Sequence, residues 1–116
     1  MKNFEYIRVA VAVPAIKVAD PMFNAREIVS MAKKAFKRKK AGVILFPELC
    51  ITGYTCSDLF WQERLLEEAK DQLGRIAKQT KDIDGLIFLG LPWEDQGKLY
   101  NAAAVLCRGE VLGIVP

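Results

Sequence analysis

Histidine is absent from this sequence of 116 residues, and cysteine is scarce. Without histidine the chain lacks the commonest metal ligand, the usual general base and the central member of a Ser-His-Asp triad. The three cysteines, Cys50, Cys56 and Cys107, have no paired spacing, and we see no secretory signal. We therefore expect a cytoplasmic protein with reduced thiols and no metal site in this segment.

Long hydrophobic runs and nucleotide-binding glycine motifs are also missing. The apolar stretch at residues 7–16 is interrupted by Arg8 and Pro14 and is much shorter than the roughly 20 residues that cross a bilayer. No Gly-x-Gly-x-x-Gly or Walker pattern occurs. The chain therefore predicts neither a membrane segment nor a nucleotide site of its own.

Charge of one sign is not strongly in excess, because the formal net charge is only +3. Six basic residues crowd one predicted helix: Lys33, Lys34, Lys37, Arg38, Lys39 and Lys40. No aromatic residues interleave with them for base stacking, which favours a solvated helix face over a nucleic-acid site. We expect no nucleic acid among the partners.

Apolar residues make up 52% of the chain, which is enough for a buried core. Five short apolar or β-branched runs predict strands, at residues 7–13, 43–46, 86–91, 99–107 and 111–115. We expect the first strand to be covered on both faces. Residues 92–98 predict a polar connection, and the last two strands a hairpin.

Two predicted helices separate the first three strands. The first has the spacing of a capping box at Asn24 and Glu27, and Gly42 offers a C-terminal stop. The second has an amphipathic stripe that begins at Leu65 and runs to about Lys81. The order β-α-β-α-β followed by a hairpin predicts an α/β fold.

Glu48 follows the second predicted strand, directly after Pro47. Proline has no N–H for a sheet ladder, so this carboxylate should lie at the carboxyl edge of the sheet, where open α/β proteins keep their sites. The apolar neighbours Phe46 and Leu49 are expected to bury it, which would suit a general base. On position alone, a capping or salt-bridged glutamate is the commoner role.

A longer motif around Glu48 resembles a known family. Residues 46–49, with Gly53 and Tyr54, resemble the first signature of the nitrilase superfamily, whose members cleave C–N bonds with a Glu-Lys-Cys triad. Residues 46–60 are similar in particular to the glutaminase domain of glutamine-dependent NAD synthetases, with the sequence Phe-Pro-Glu-Leu-Cys-Ile-Thr-Gly-Tyr-Thr-Cys-Ser-Asp-Leu-Phe. Residues 13–14, 18–24, 99–101 and 113–116 resemble the same domain.

The resemblance implies a fold and a role for Glu48. It implies that residues 1–116 are the N-terminal portion of a nitrilase-type α-β-β-α sandwich. Glu48 would be the general base that takes a proton from a cysteine nucleophile. The lysine that stabilises the oxyanion would come directly after the Gly-x-x-Pro segment at 113–116, and the nucleophilic cysteine further downstream, so both are expected beyond Pro116.

The resemblance also assigns the remaining candidate residues. Tyr54 matches a tyrosine that lines the glutamine pocket, although a tyrosine that only anchors the loop is an open alternative. Cys50 lies two residues from Glu48, and Cys56 and Cys107 lie outside any family nucleophile motif. We expect all three thiols to be packed rather than reactive.

The implied activity is glutamine hydrolysis that supplies ammonia for ATP-dependent conversion of deamido-NAD to NAD. ATP, Mg²⁺ and deamido-NAD would bind a separate synthetase domain, with no cofactor in this segment, and the full-length protein would be a homo-oligomer. This chain by itself is expected to be inactive. Two alternatives stay open: a stand-alone nitrilase-type amidase or carbamoylase, and a non-catalytic α/β interaction module.

Overall fold

The computed structural model describes residues 6–53 and 63–116. These residues form five strands and two helices, in the predicted order. The elements are β1 (Val9–Val11), α1 (Pro21–Lys39), β2 (Val43–Leu45), α2 (Glu63–Gln79), β3 (Leu86–Asp95), β4 (Lys98–Cys107) and β5 (Glu110–Val115). The predicted α/β class is confirmed.

The strands form one sheet in the same order as in the chain. β1, β2 and β3 are parallel, and β3, β4 and β5 are antiparallel. Parallel neighbours need long crossovers, and these contain α1 and α2. Alternate strand residues such as Ile44, Ile87 and Leu89 are buried with the apolar stripes of the helices in one core.

The side of the sheet away from the two helices is the open face. It carries Val9, Val11, Phe88 and Ala103. The prediction that the first strand is covered on both faces is wrong. β1 is an edge strand, with Val9 52% and Val11 74% exposed, whereas the intervening Ala10 is partly buried. The reason is that the described helices cover only one side of the sheet.

The ends of α1 differ from the predicted ends. Asp20 is the N-cap and accepts a hydrogen bond from the backbone N–H of Phe23, so the helix begins at Pro21 and not at an Asn24 capping box. At the other end Lys40 adopts a left-handed conformation with φ 54° and closes the helix two residues before Gly42. The predicted second helix is confirmed within two residues at each end.

Residues 92–98 are not a polar connection. β3 continues to Asp95 and pairs with β4 across a two-residue turn, Gln96-Gly97, where φ is 52° and 80°. Two positive φ values are typical of the tight turns that match strand twist. The predicted β4–β5 hairpin is confirmed, and Arg108-Gly109 forms the same kind of turn with φ 48° and 87°.

Neither α1 nor α2 combines the length and the apolar character that a bilayer crossing demands.

Candidate active site

Glu48 lies where the sequence predicts it, just beyond the carboxyl end of β2. The N–H of Phe46 still donates to the carbonyl of Phe88 on β3, at 2.8 Å, and the chain leaves the sheet at Pro47. Phe46 and Leu49 are buried, but Glu48 itself is exposed. The expected burial of the carboxylate is therefore not found, because the side chain points to the open side of the sheet rather than into the core.

The turn that carries Glu48 rests directly on β3. Leu49 has a left-handed backbone with φ 52°, and its carbonyl accepts the N–H of Gly53 at 2.7 Å. The N–H of Ile51 donates to the carbonyl of Gly90 at 3.2 Å. A Cβ on Gly90 would lie 2.3 Å from the backbone nitrogen of Leu49 and 3.0 Å from the Cα of Glu48. Only glycine permits this approach.

Asn24 holds the far side of the same turn. Its side chain is fully buried, and its amide donates to the carbonyl of Ile51 at 2.8 Å and to that of Lys17 at 2.8 Å. Its side-chain oxygen accepts the N–H of Lys17 at 2.7 Å. The N–H of Ala19 adds a bond to the carbonyl of Thr52 at 2.8 Å. The segment before α1 therefore fixes the turn that begins at Glu48.

Two cavities meet at Glu48. One, of about 400 Å³, lies over the open face and is lined by residues that include Phe88, Gly90, Asn101 and Val115. The other, of about 310 Å³, is lined mainly by apolar residues from the segment after β1 and from the turn, among them Val13, Ile16, Val18, Leu49 and Cys50. Both volumes are in the range of small-molecule sites. Glu48 is thus accessible to a small substrate.

Asn101 on β4 is the partner of the Glu48 carboxylate. Its side-chain N–H donates to Oε1 of Glu48, across 53 positions of sequence. Both side chains are exposed and both line the 400 Å³ cavity. The carboxylate is therefore held by a neutral amide and not by a cation of the described chain.

Cys50 is a packed thiol, as the sequence predicts. It is 2% exposed, and burial raises its pKa to about 11. Its thiol donates to the carbonyl of Gly90 at 3.7 Å. At neutral pH such a thiol is almost entirely protonated and is a poor nucleophile. Cys107 is partly buried.

Two predicted residues lie outside the described ranges. Tyr54, the predicted glutamine-pocket residue, falls between residues 53 and 63, and so does Cys56. Within residues 6–53 and 63–116, no three acidic or thiol side chains are grouped so that they would hold a metal ion.

Sequence reasoning missed the roles of Gly90 and Asn101. Asn101 belongs to residues 99–101, which resemble the glutaminase domain, but the resemblance predicts no function for it. A polar amide inside the apolar run 99–107 is a signal for a functional position. A glycine inside the run 86–91 likewise signals a close backbone approach. Neither pattern predicts that these residues contact Glu48, because Glu48 lies in another part of the sequence.

Comparison with known proteins now decides the family. The carbon-nitrogen hydrolase family matches residues 8–114. The chain belongs to this family. Glutamine-dependent NAD(+) synthetase of Mycobacterium tuberculosis is 33% identical over 111 residues, which cover 96% of this chain and 16% of that protein. The chain thus spans about one sixth of the length of this synthetase.

Solved structures agree with the family and with the fold. A glutamine-dependent NAD(+) synthetase from Cytophaga hutchinsonii superimposes with a TM-score of 0.84 at 33% identity, covering 93% of this chain and 18% of that one. An amidase from Nesterenkonia sp. AN1, a glutamate-to-glutamine mutant with acrylamide added at its active-site cysteine, has a TM-score of 0.74 at 26% identity and is covered to 43%. The predicted nitrilase-type fold is confirmed.

Proposed function

We propose that the protein carrying this chain hydrolyses the side-chain amide of glutamine and uses the ammonia to convert deamido-NAD to NAD with ATP. The observation that carries the proposal is the match of nearly the whole chain to glutamine-dependent NAD synthetases, at 33% identity. The position of Glu48, at a sheet edge beside a 400 Å³ cavity, is what a general base for this reaction requires.

In this proposal Glu48 accepts the proton of a cysteine thiol. The thiolate attacks the carbonyl carbon of the glutamine side-chain amide, and Glu48 returns the proton to the amide nitrogen, which leaves as ammonia. Water then hydrolyses the thioester to glutamate and regenerates the thiol. Cys50 is unsuited to be that nucleophile, because it is buried and its pKa is raised to about 11. Cys56 and Cys107 lie outside the nucleophile motif of the resembled family, so the nucleophile is expected outside the 116 residues.

The wall of the cavity also suits the expected lysine. Val115 and Pro116 line the same 400 Å³ cavity as Glu48. A lysine directly after Pro116 would enter the site on the side facing Glu48, where its charge would stabilise the oxyanion of the tetrahedral intermediate. Reading the gene beyond Pro116 tests this arrangement, with a lysine at the next position as the expected result.

Deamido-NAD, ATP and Mg²⁺ are assigned to a synthetase domain that lies further along the full-length protein. The decisive experiment is to supply the purified full-length protein with ATP, deamido-NAD and either glutamine or ammonium. The proposal predicts NAD formation from both nitrogen sources and glutamate release from glutamine. Glutamate release without NAD from either source would contradict it.

A stand-alone amidase is the second candidate. It is favoured by the likeness to the Nesterenkonia amidase, of which the chain covers 43%. Such a protein would hydrolyse short aliphatic amides and make no NAD. Hydrolysis of butyramide, added in place of glutamine, without NAD formation from glutamine or ammonium would select this candidate.

A further inference from the structure

We infer that Asn101 is the positioning residue that orients the Glu48 carboxylate for proton transfer. The inference rests on the proposed function, because it takes Glu48 as the general base. Its side-chain amide donates to Oε1 of Glu48, and no other hydrogen bond or ion pair to this carboxylate is found among residues 6–53 and 63–116.

The contact joins two independently supported parts of the fold. Asn101 lies within β4, opposite Pro92, where β3 and β4 pair over ten residues. Glu48 lies on the turn that is held against β3 by Gly90 and against α1 by Asn24. Because both backbones are fixed, the amide can define the direction of an otherwise exposed carboxylate.

The chemistry of the pair favours a positioning role. A general base must present one oxygen to the reacting proton. The bond from Asn101 occupies Oε1, and Oε2 has no partner among residues 6–53 and 63–116. An amide is neutral and does not titrate, so it orients the carboxylate without offering a competing acidic proton. Lysine or arginine in its place would form an ion pair with the base and oppose proton uptake.

The location of the pair connects it with substrate. Glu48 and Asn101 line the 400 Å³ cavity together with Gly90. A loose carboxylate in this exposed position would sample several rotamers, and most of them would misdirect the proton acceptor. Asn101 therefore acts on the rate of the chemical step rather than on the binding of glutamine.

The test compares four variants of the full-length protein in steady-state glutamine hydrolysis: Asn101→Asp, Asn101→Leu, Glu48→Gln and Gln79→Leu. Asn101→Asp keeps the shape, removes the donor and places a second carboxylate beside Glu48, whereas Asn101→Leu removes the donor without adding charge. Gln79 is an exposed amide at the end of α2, far from the site in the fold, and its leucine variant is the matched control. Ammonium-supported NAD formation by each variant checks that the rest of the protein is intact.

Loss of a hydrogen bond to a charged group predicts that kcat falls about 10- to 100-fold in both Asn101 variants. KM for glutamine should stay within about threefold, since binding is not affected. Gln79→Leu should behave as wild type. If Asn101→Leu fails to fold, Asn101→Ala takes its place, because it also removes the donor without adding a charge.

Two results would overturn the inference while leaving the proposed function intact. One is a normal kcat in Asn101→Asp when Glu48→Gln is inactive. The other is a raised KM with normal kcat, which would make Asn101 a substrate-binding residue. Normal glutamine hydrolysis by Glu48→Gln would instead refute the role of Glu48 itself, and the inference with it.

Discussion

A methyl group added at Gly90 tests how closely the Glu48 turn must pack on β3. In Gly90→Ala the new Cβ would lie 2.3 Å from the backbone nitrogen of Leu49 and 2.9 Å from the carbonyl carbon of Glu48. Reaching the 3.4 Å of an ordinary contact requires the turn to move by about 1.1 Å. The obstructing atoms are backbone, so no side-chain rotation relieves the clash.

A displacement of about 1 Å at a catalytic group costs roughly 100-fold in rate. We therefore expect kcat/KM for glutamine to fall about 100-fold in the full-length Gly90→Ala protein, and overpacking to lower stability by about 1–3 kcal/mol. Glutamate release and thermal unfolding measure the two effects.

The matched control is Gly74→Ala. Gly74 is exposed on α2, and an added Cβ would meet nothing within 4 Å. Alanine should stabilise the helix by about 0.8–1 kcal/mol and leave glutamine hydrolysis unchanged. A wild-type kcat/KM in Gly90→Ala would refute the reasoning, because it would mean that the position of Glu48 does not depend on this contact.

Three further predictions concern stability and the isolated chain. Asn24→Leu leaves the backbone groups of Lys17 and the carbonyl of Ile51 without their partner, and should lower the free energy of unfolding in urea by about 2–4 kcal/mol. An unchanged urea midpoint would contradict the role of Asn24 in holding the Glu48 turn. The pKa of Cys50 is raised to about 11 in the folded state, so its contribution is complete below pH 9 and is lost as the pH rises toward 11. Wild type should therefore lose roughly 2 kcal/mol more than Cys50→Ala between pH 8 and 11, and equal losses would contradict this. The chain of 116 residues expressed alone should not hydrolyse glutamine and should bind a hydrophobic dye through its open face. Cysteine-dependent turnover would contradict the first expectation, and a sharp cooperative melt without dye binding would argue for an independent module.

The order of the elements could be predicted because the helices have a clear apolar stripe and the strands at 43–46 and 86–91 are short apolar runs bounded by glycine and proline. The stripe of α2 is buried as its period requires. The ends could not be predicted as well. Asn24 has the chemistry of an N-cap, but Asp20 lies beside Pro21, and the buried partners of Asn24 at Lys17 and Ile51 override the local signal.

The faces of the sheet were harder to predict than its strands. The β-branched run of β1 has the composition of a strand that is covered on both sides, and yet Val11 is 74% exposed. The composition of a strand shows that its side chains are suited to burial. It does not show whether another helix or sheet packs against them. The α-β-β-α arrangement of the resembled family predicts that a second sheet covers this face in the full-length protein.

Glu48 could be predicted from its own neighbours, whereas its partners could not. Pro47 and the end of β2 place the carboxylate at the sheet edge by local rules. Asn101 and Gly90 reach it only through the pairing of β2, β3 and β4, which joins segments about 40 to 50 positions apart. The register of β4 against β3 follows from the Gln96-Gly97 turn, but the parallel pairing of β2 with β3 joins strands that α2 separates, and no local pattern specifies that pairing.

Replacing Glu48 by glutamine tests the central claim most directly. The glutamine side chain keeps the size of the carboxylate and removes the base. In the full-length protein, glutamine hydrolysis should fall by about 100- to 10,000-fold, while NAD formation from ammonium should stay within about twofold of wild type. Glutamine hydrolysis at the normal rate would contradict the assignment of Glu48 as the general base.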